Sequence, residues 1–215
     1  MYKLVIFDMD GTILDTLEDL AISLNFALEK SGFPKRTLDE VRSFVGNGIR
    51  KLVERGVPFN TPTDKTDKVF ADFNEYYAKH CSDHTRAYDG ITDLIHSLRD
   101  KGIMTAVVSN KADYGVQNLC RQYFDGLFDY AVGEREGVRK KPCADSVNEV
   151  LSHLQIDRKN AVYVGDSDVD IKTAENAQMD CIIVEWGFRD RDFLIENGAK
   201  NLVSTAAELE KLCLE

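Results

Sequence analysis

The chain has 215 residues, 43% of them apolar in type and 30% charged, enough to bury a core and too polar throughout for a membrane-embedded protein. Lysine and arginine total 27 against 37 aspartates and glutamates, a net charge of −10, which argues against nucleic acid and against an anionic membrane as partners. A small phosphorylated ligand must then find its positive charge locally, from a lysine or a bound cation.

Taken in chain order, the first element is the buried-strand pattern Leu4–Phe7, a short apolar run that ends in polar residues. Met1-Tyr2-Lys3 leads straight into it without a leader layout. No apolar run nears the roughly 18 residues that would span a bilayer. The five cysteines, Cys81, Cys120, Cys143, Cys181 and Cys213, are odd in number and form no C-x-x-C pair, the usage of reduced thiols. A cytoplasmic protein is the expectation.

Residues 16–86 carry helical patterns and no convincing strand. Thr16-Leu17-Glu18-Asp19 has the spacing of a capping box before the stripe Leu17, Leu20, Ala21, Leu24 and Leu28, closed by Gly32 and Pro34. A second helix is predicted from Thr37, with Glu40 three residues on, a third over Ile49–Arg55 and a fourth over Lys68–His80. The stretch Asn60–Thr66, with Pro62, reads as the loop between the last two. His80-Cys81-Ser82-Asp83-His84 offers two histidines and one cysteine, short of the four ligands a structural zinc needs.

Beyond this stretch, strand and helix alternate. The strands Met104–Val108, Tyr130–Val132, Ala161–Val164 and Cys181–Val184 are interleaved with helical patterns such as Ile91–Lys101 and Val147–Leu154, which implies a parallel sheet. The expected fold is α/β: a doubly wound parallel-sheet core, residues 1–15 and 87–215, with an inserted all-helical unit, residues 16–86.

In such sheets ligands sit beyond the carboxyl ends of the strands. Asp8 and Asp10 follow the first strand, Ser109 and Asn110 the second, and Gly165-Asp166-Ser167-Asp168-Val169-Asp170 the fourth, while Lys141-Pro142 precedes a helix. With the strand period of 2, Asp8 and Asp10 point to one side. Carboxylates crowded in this way repel unless a cation is shared, and an all-oxygen donor set without histidine or cysteine suits Mg²⁺. A carboxylate nucleophile, cations that neutralise the phosphoryl oxygens and a second carboxylate for proton transfer are what phosphoryl transfer requires. Asp8 fits the nucleophile and Asp10 the acid/base, with Lys141 as the ammonium and Thr12, Ser109 and Asn110 as phosphate contacts.

The order D-x-D-G-T, Ser-Asn, Lys-Pro, Gly-Asp-Ser-x-x-Asp resembles the haloacid dehalogenase superfamily of hydrolases over nearly the whole chain. The helical insert resembles that superfamily's first type of cap, which closes over the site. Val45-Gly46-Asn47-Gly48 followed by Arg50-Lys51-Leu52-Val53-Glu54-Arg55 resembles the phosphoglycolate phosphatase branch. The resemblance implies an aspartyl-phosphate on Asp8, acid/base work by Asp10 and phosphate contacts by Ser109 and Lys141. It implies Mg²⁺ held by Asp8, Asp166 and the main-chain carbonyl of Asp10 with Asp170 in support, and a small phosphorylated metabolite as substrate. Asn47, Arg50 and Lys51 of the insert are candidate contacts to its leaving group, or equally ordinary surface residues of a helical cap. Departures are Asp89-Gly90, where relatives carry Pro-Gly, and Ala144 in place of a second proline. A monomer or homodimer is expected. The same core motifs also serve phosphoglucomutase-like transferases, pyrophosphatases and nucleotidases. Asp10 and Asp166 count against a dehalogenase, the helical insert and the early position of Asp8 against a phosphoacceptor signalling domain, and the presence of every one of these groups together against a catalytically silent binding protein.

Overall fold

A computed structural model describes residues 1–215. Its centre is a six-stranded, all-parallel sheet built from β1 (Leu4–Phe7), β4 (Met104–Ala112), β5 (Tyr130–Glu134), β6 (Ala161–Gly165), β7 (Asp180–Val184) and β8 (Leu202–Val203). The strand order is β5-β4-β1-β6-β7-β8, so chain progression reverses between β1 and β6, where an open α/β sheet forms its ligand crevice. β1 is central and fully buried because each of its residues faces a packed layer. Val5 and Phe7 enter one apolar cluster with Ile91, Leu94, Ile95 and Leu98, whereas Leu4 and Ile6 enter another with Val147, Val150 and Leu151. No helix is long and apolar enough to cross a membrane.

Between β1 and β4 the chain leaves the sheet. The short strands β2 (Leu14–Asp15) and β3 (Arg86–Ala87) pair antiparallel and bracket α1 (Leu17–Lys30), α2 (Leu38–Phe44), α3 (Ile49–Gly56) and α4 (Thr63–His80). These four helices share an apolar core of their own, with Leu24, Leu28, Val53 and Phe73 buried in it. The remaining helices are α5 (Ile91–Asp100), α6 (Asp113–Tyr123), α7 (Asp145–Leu154), α8 (Asp168–Ala177), α9 (Arg191–Glu196) and α10 (Ala206–Leu214).

Two local expectations change. Thr37 and Glu40 do form a reciprocal capping box on α2, but Thr16 makes no side-chain cap on α1. Asp19 is buried and turned to the returning chain, accepting from His84 N (2.9 Å), Thr85 N (2.9 Å) and Thr85 Oγ1 (2.7 Å). A longer-range partner with three donors outcompetes the local cap. The fourth helix begins at Thr63 rather than near Lys68: Pro62 precedes its first turn, donating no N–H where none is needed, and Thr66 Oγ1 bonds back to Pro62 O at 3.2 Å.

Candidate active site

β1 delivers Asp8 and Asp10 to the crevice, and the turn after them depends on Gly11. Gly11 has φ +89°, and a Cβ there would lie 2.4 Å from Asp166 Oδ2, so only glycine lets the first loop close against the loop after β6. Asp166 is held by Thr12 Oγ1 (3.3 Å) and the Phe188 N–H (2.7 Å). The Thr12 hydroxyl, expected at a phosphate, is therefore spent on Asp166, and Thr12 is fully buried.

Lys141 reaches the same point from the loop before α7. Its ammonium has three donors, and all are used: Asp8 Oδ1 at 2.8 Å, Asp170 Oδ1 at 2.8 Å and Tyr163 OH at 3.0 Å. Asp170 is saturated, accepting also from Tyr163 OH, the N–H groups of Asp166 and Ser167, and Ser167 Oγ. It orients Lys141 and ties the β6 loop together. Asp8 and Asp166 keep unused lone pairs.

Asp8, Asp166 and Asp170 bring carboxylate oxygens within 4.8 Å of one another, all buried. Three carboxylates around one ammonium leave an excess of negative charge in a dry place. Burial, only partly offset by Lys141 and reinforced by Asp170, pushes the Asp8 carboxyl up to about 7. Burial and the neighbouring Asp170 and Asp8 charges likewise hold Asp166 well above the usual carboxylate range. Burial disfavours charge on Lys141 as well, yet Asp170 and Asp8 outweigh it and raise the lysine. The cluster is short of positive charge, and its hard oxygen donors fit a divalent cation such as Mg²⁺. Asp10 is the exception among the four carboxylates expected there: its side chain pairs with Lys111 Nζ at 3.0 Å, which leaves its main-chain carbonyl as the part available to a metal.

Ser109, Asn110 and Lys111 lie within the register break of β4, between Val108 and Ala112. The Ser109 hydroxyl accepts from Lys111 N at 3.2 Å and keeps its proton for another acceptor. The Asn110 side chain is a bridge: its Oδ1 accepts from Lys141 N (2.9 Å), and its Nδ2 donates to Lys141 O (3.1 Å) and to Gly46 O (3.2 Å) in the helical insert. Asp8, Asp10, Ser109, Asn110, Lys111 and Lys141 form the inner wall of a cavity of about 50 Å³. Leu20, Val45, Ile49 and Leu52 of the insert form its outer wall.

The insert is clamped over this cavity. Arg189 donates to Arg42 O and Val45 O at 2.9 and 2.7 Å, and Phe188 packs inside the insert's own core. The expected leaving-group contacts are turned elsewhere. Asn47 Oδ1 accepts from Arg55 at 2.8 Å, and Arg50 pairs with Glu54 (2.9 Å) and Asp67 (2.5 Å) on the outer surface. Each satisfies a nearby charge or donor on its own helical unit, and neither lines the cavity. His80 pairs with Asp83 and stacks on Tyr76.

Lys111, Tyr77 and Tyr163 escaped the sequence reading. Lys111 Nζ donates to Tyr77 OH of α4 at 2.5 Å as well as to Asp10. The Asp10 charge and the Tyr77 hydroxyl overcome burial and keep this lysine above its ordinary value. A signal for Lys111 existed, since it lies two residues after Ser109 and so on the same side of a strand end. Tyr163 sits within an apolar strand run, where nothing local marks its hydroxyl as a partner.

A parallel sheet with paired aspartates at its switch point, a buried lysine and a helical insert closing the cavity is the architecture of a hydrolase. The model of the haloacid dehalogenase-like hydrolase family matches residues 5–184, and the chain belongs to that family. It is 31% identical over 217 residues to a phosphoglycolate phosphatase of Chromobacterium violaceum, covering 98% of this chain and 96% of that protein. A crystal structure from Lactobacillus delbrueckii subsp. bulgaricus, provisionally assigned as a phosphoglycolate phosphatase, superposes with a TM-score of 0.95 at 40% identity, covering 99% of this chain and 98% of the other. CbbY from Rhodobacter sphaeroides, crystallised with phosphate, superposes with a TM-score of 0.75 at 26% identity, covering 97% and 96%.

Proposed function

We propose that the protein is a Mg²⁺-dependent phosphatase that hydrolyses a small phosphomonoester of the phosphoglycolate type through an aspartyl-phosphate on Asp8. The observation that carries the reading is one cavity walled by Asp8, Asp10, Ser109 and Lys141 on one side and by aliphatic side chains on the other. Mg²⁺, held by Asp8, Asp166 and the Asp10 carbonyl, would supply positive charge to the transferring phosphoryl group. Asp8 attacks phosphorus while Lys141, fixed by Asp170 and Tyr163, stabilises the equatorial oxygens. Ser109 donates its free hydroxyl proton to one of those oxygens. Asp10 protonates the departing alkoxide and then takes a proton from the water that cleaves the acyl phosphate. The helical lid keeps other water out.

The outer wall supports a small leaving group over a sugar. Leu20, Val45, Ile49 and Leu52 offer no side-chain partner to hydroxyl groups, and a buried hydroxyl without a partner costs about 1–3 kcal/mol. A mutase acting on a sugar bisphosphate needs a second cationic phosphate site on the insert's side of the cavity, and the insert lines it with no cation, Arg50 being engaged with Glu54 and Asp67. The test is turnover of 2-phosphoglycolate and of p-nitrophenyl phosphate with Mg²⁺ and with EDTA. Release of inorganic phosphate from both esters with Mg²⁺ and its loss with EDTA are expected. No release under either condition, or transfer of the phosphoryl group back to substrate, refutes the reading.

A further inference from the structure

Two buried lysines line the cavity, and they differ in one respect. Lys141 spends all three ammonium donors on Asp8, Asp170 and Tyr163. Lys111, equally buried, donates to Asp10 at 3.0 Å and to Tyr77 at 2.5 Å, which leaves its third donor to the cavity it lines. A buried cation with an unspent donor is a site for an acceptor, best an anionic one, because charge-assisted bonds in a dry pocket are the strong ones. The opposite wall is aliphatic, apart from the backbone of Gly46 and Gly48, so Lys111 is the one side-chain cation left for the part of the substrate that is not phosphate.

We infer that Lys111 is the specificity-determining residue of this site and that it reads a carboxylate carried on the leaving group one or two carbons from the ester oxygen. The inference rests on the phosphatase reading above and narrows it to phosphorylated short hydroxy acids. Tyr77 makes the recognition conditional on the lid: its hydroxyl comes from α4 and reaches Lys111 only across the closed interface. A leaving group of more than a few carbons meets Leu20 and Leu52 before it can turn its charge toward Lys111.

The test compares 2-phosphoglycolate with 2-hydroxyethyl phosphate, in which a neutral hydroxymethyl group replaces the carboxylate, in the wild type, Lys111→Met and Lys111→Arg. A charged hydrogen bond contributes about 1.5–3 kcal/mol, or roughly 10–150-fold, so kcat/KM of the wild type should favour the acid by about 100-fold. In Lys111→Met both esters lose activity through the disturbed Asp10, but the preference collapses to within about fivefold, chiefly through KM of the acid. Lys111→Arg retains most of the preference. Equal losses on both esters in Lys111→Met, with the preference intact, would show that Lys111 serves Asp10 alone and overturn the inference. A wild type that does not prefer the acid overturns it without any variant, even if Lys111→Met does not fold. Failure to hydrolyse either ester or p-nitrophenyl phosphate strikes the phosphatase reading itself and the inference with it.

Discussion

Asp8→Asn separates the two consequences of crowding carboxylates at the end of β1. Asp8 is buried and its carboxyl is pushed up to about 7, against about 3.9 in an unfolded chain. Below pH 4 the group is protonated in both states and costs nothing. Between pH 4 and 7 the unfolded chain releases the proton while the folded chain retains it, so stability falls as pH rises, and above pH 7 the full cost is present. A shift of about 3 units corresponds to about 4 kcal/mol, which relaxation and water entry reduce to about 2–4. Asparagine abolishes that cost, and Lys141 keeps Asp170 and Tyr163 as partners. In EDTA at pH 8, Asp8→Asn should therefore unfold roughly 5–12 °C above the wild type, while having no phosphatase activity. The gap should close as the pH is lowered toward 4 and shrink when Mg²⁺ is added, because the cation stabilises the wild type more. Scanning calorimetry across that pH range is the assay. A variant less stable than the wild type at pH 8 in EDTA, or a gap independent of pH, would refute the electrostatic account.

Three further outcomes follow from the geometry. Gly11→Ala puts a methyl group 2.4 Å from Asp166 Oδ2 at φ +89°; a loss of about 2–4 kcal/mol and a weakened Mg²⁺ response are expected, read by thermal unfolding with and without metal. Asp19→Ala orphans the N–H groups of His84 and Thr85, at a cost of about 3 kcal/mol, and should raise hydrogen exchange selectively at the β2–β3 neck. Arg50→Ala breaks ion pairs with Glu54 and Asp67 and a cation–π contact with Phe70, none of which lines the cavity, so kcat/KM should stay within about threefold of wild type; a tenfold loss would place Arg50 in contact with substrate.

The sheet was legible because buried parallel strands are continuous apolar runs, and Leu4–Phe7 and Ala161–Gly165 meet helices on both faces. β2, β3 and β8 have two residues each, too few for any periodicity to register. The reading of Asp19 as a capping residue failed because the competing donors arrive 65 and 66 residues later. The core motif residues are legible because strand-end placement gathers Asp8, Ser109 and Asp166 at one crevice. The lid face is not, since whether Arg50 faces substrate or Asp67 depends on helix packing. The spacing of Lys111 from Ser109 marks it only as a strand-end neighbour, and its partners Asp10 and Tyr77 lie 101 and 34 residues away.

The central claim is that Asp8 carries the phosphoryl group. Acid quenching within the first turnover, followed by peptide mass spectrometry, tests it directly. The account predicts one phosphoryl group on the peptide containing Asp8, formed only with Mg²⁺ and absent from Asp8→Asn. Turnover without any protein-bound phosphate, or phosphate on another residue, would contradict it.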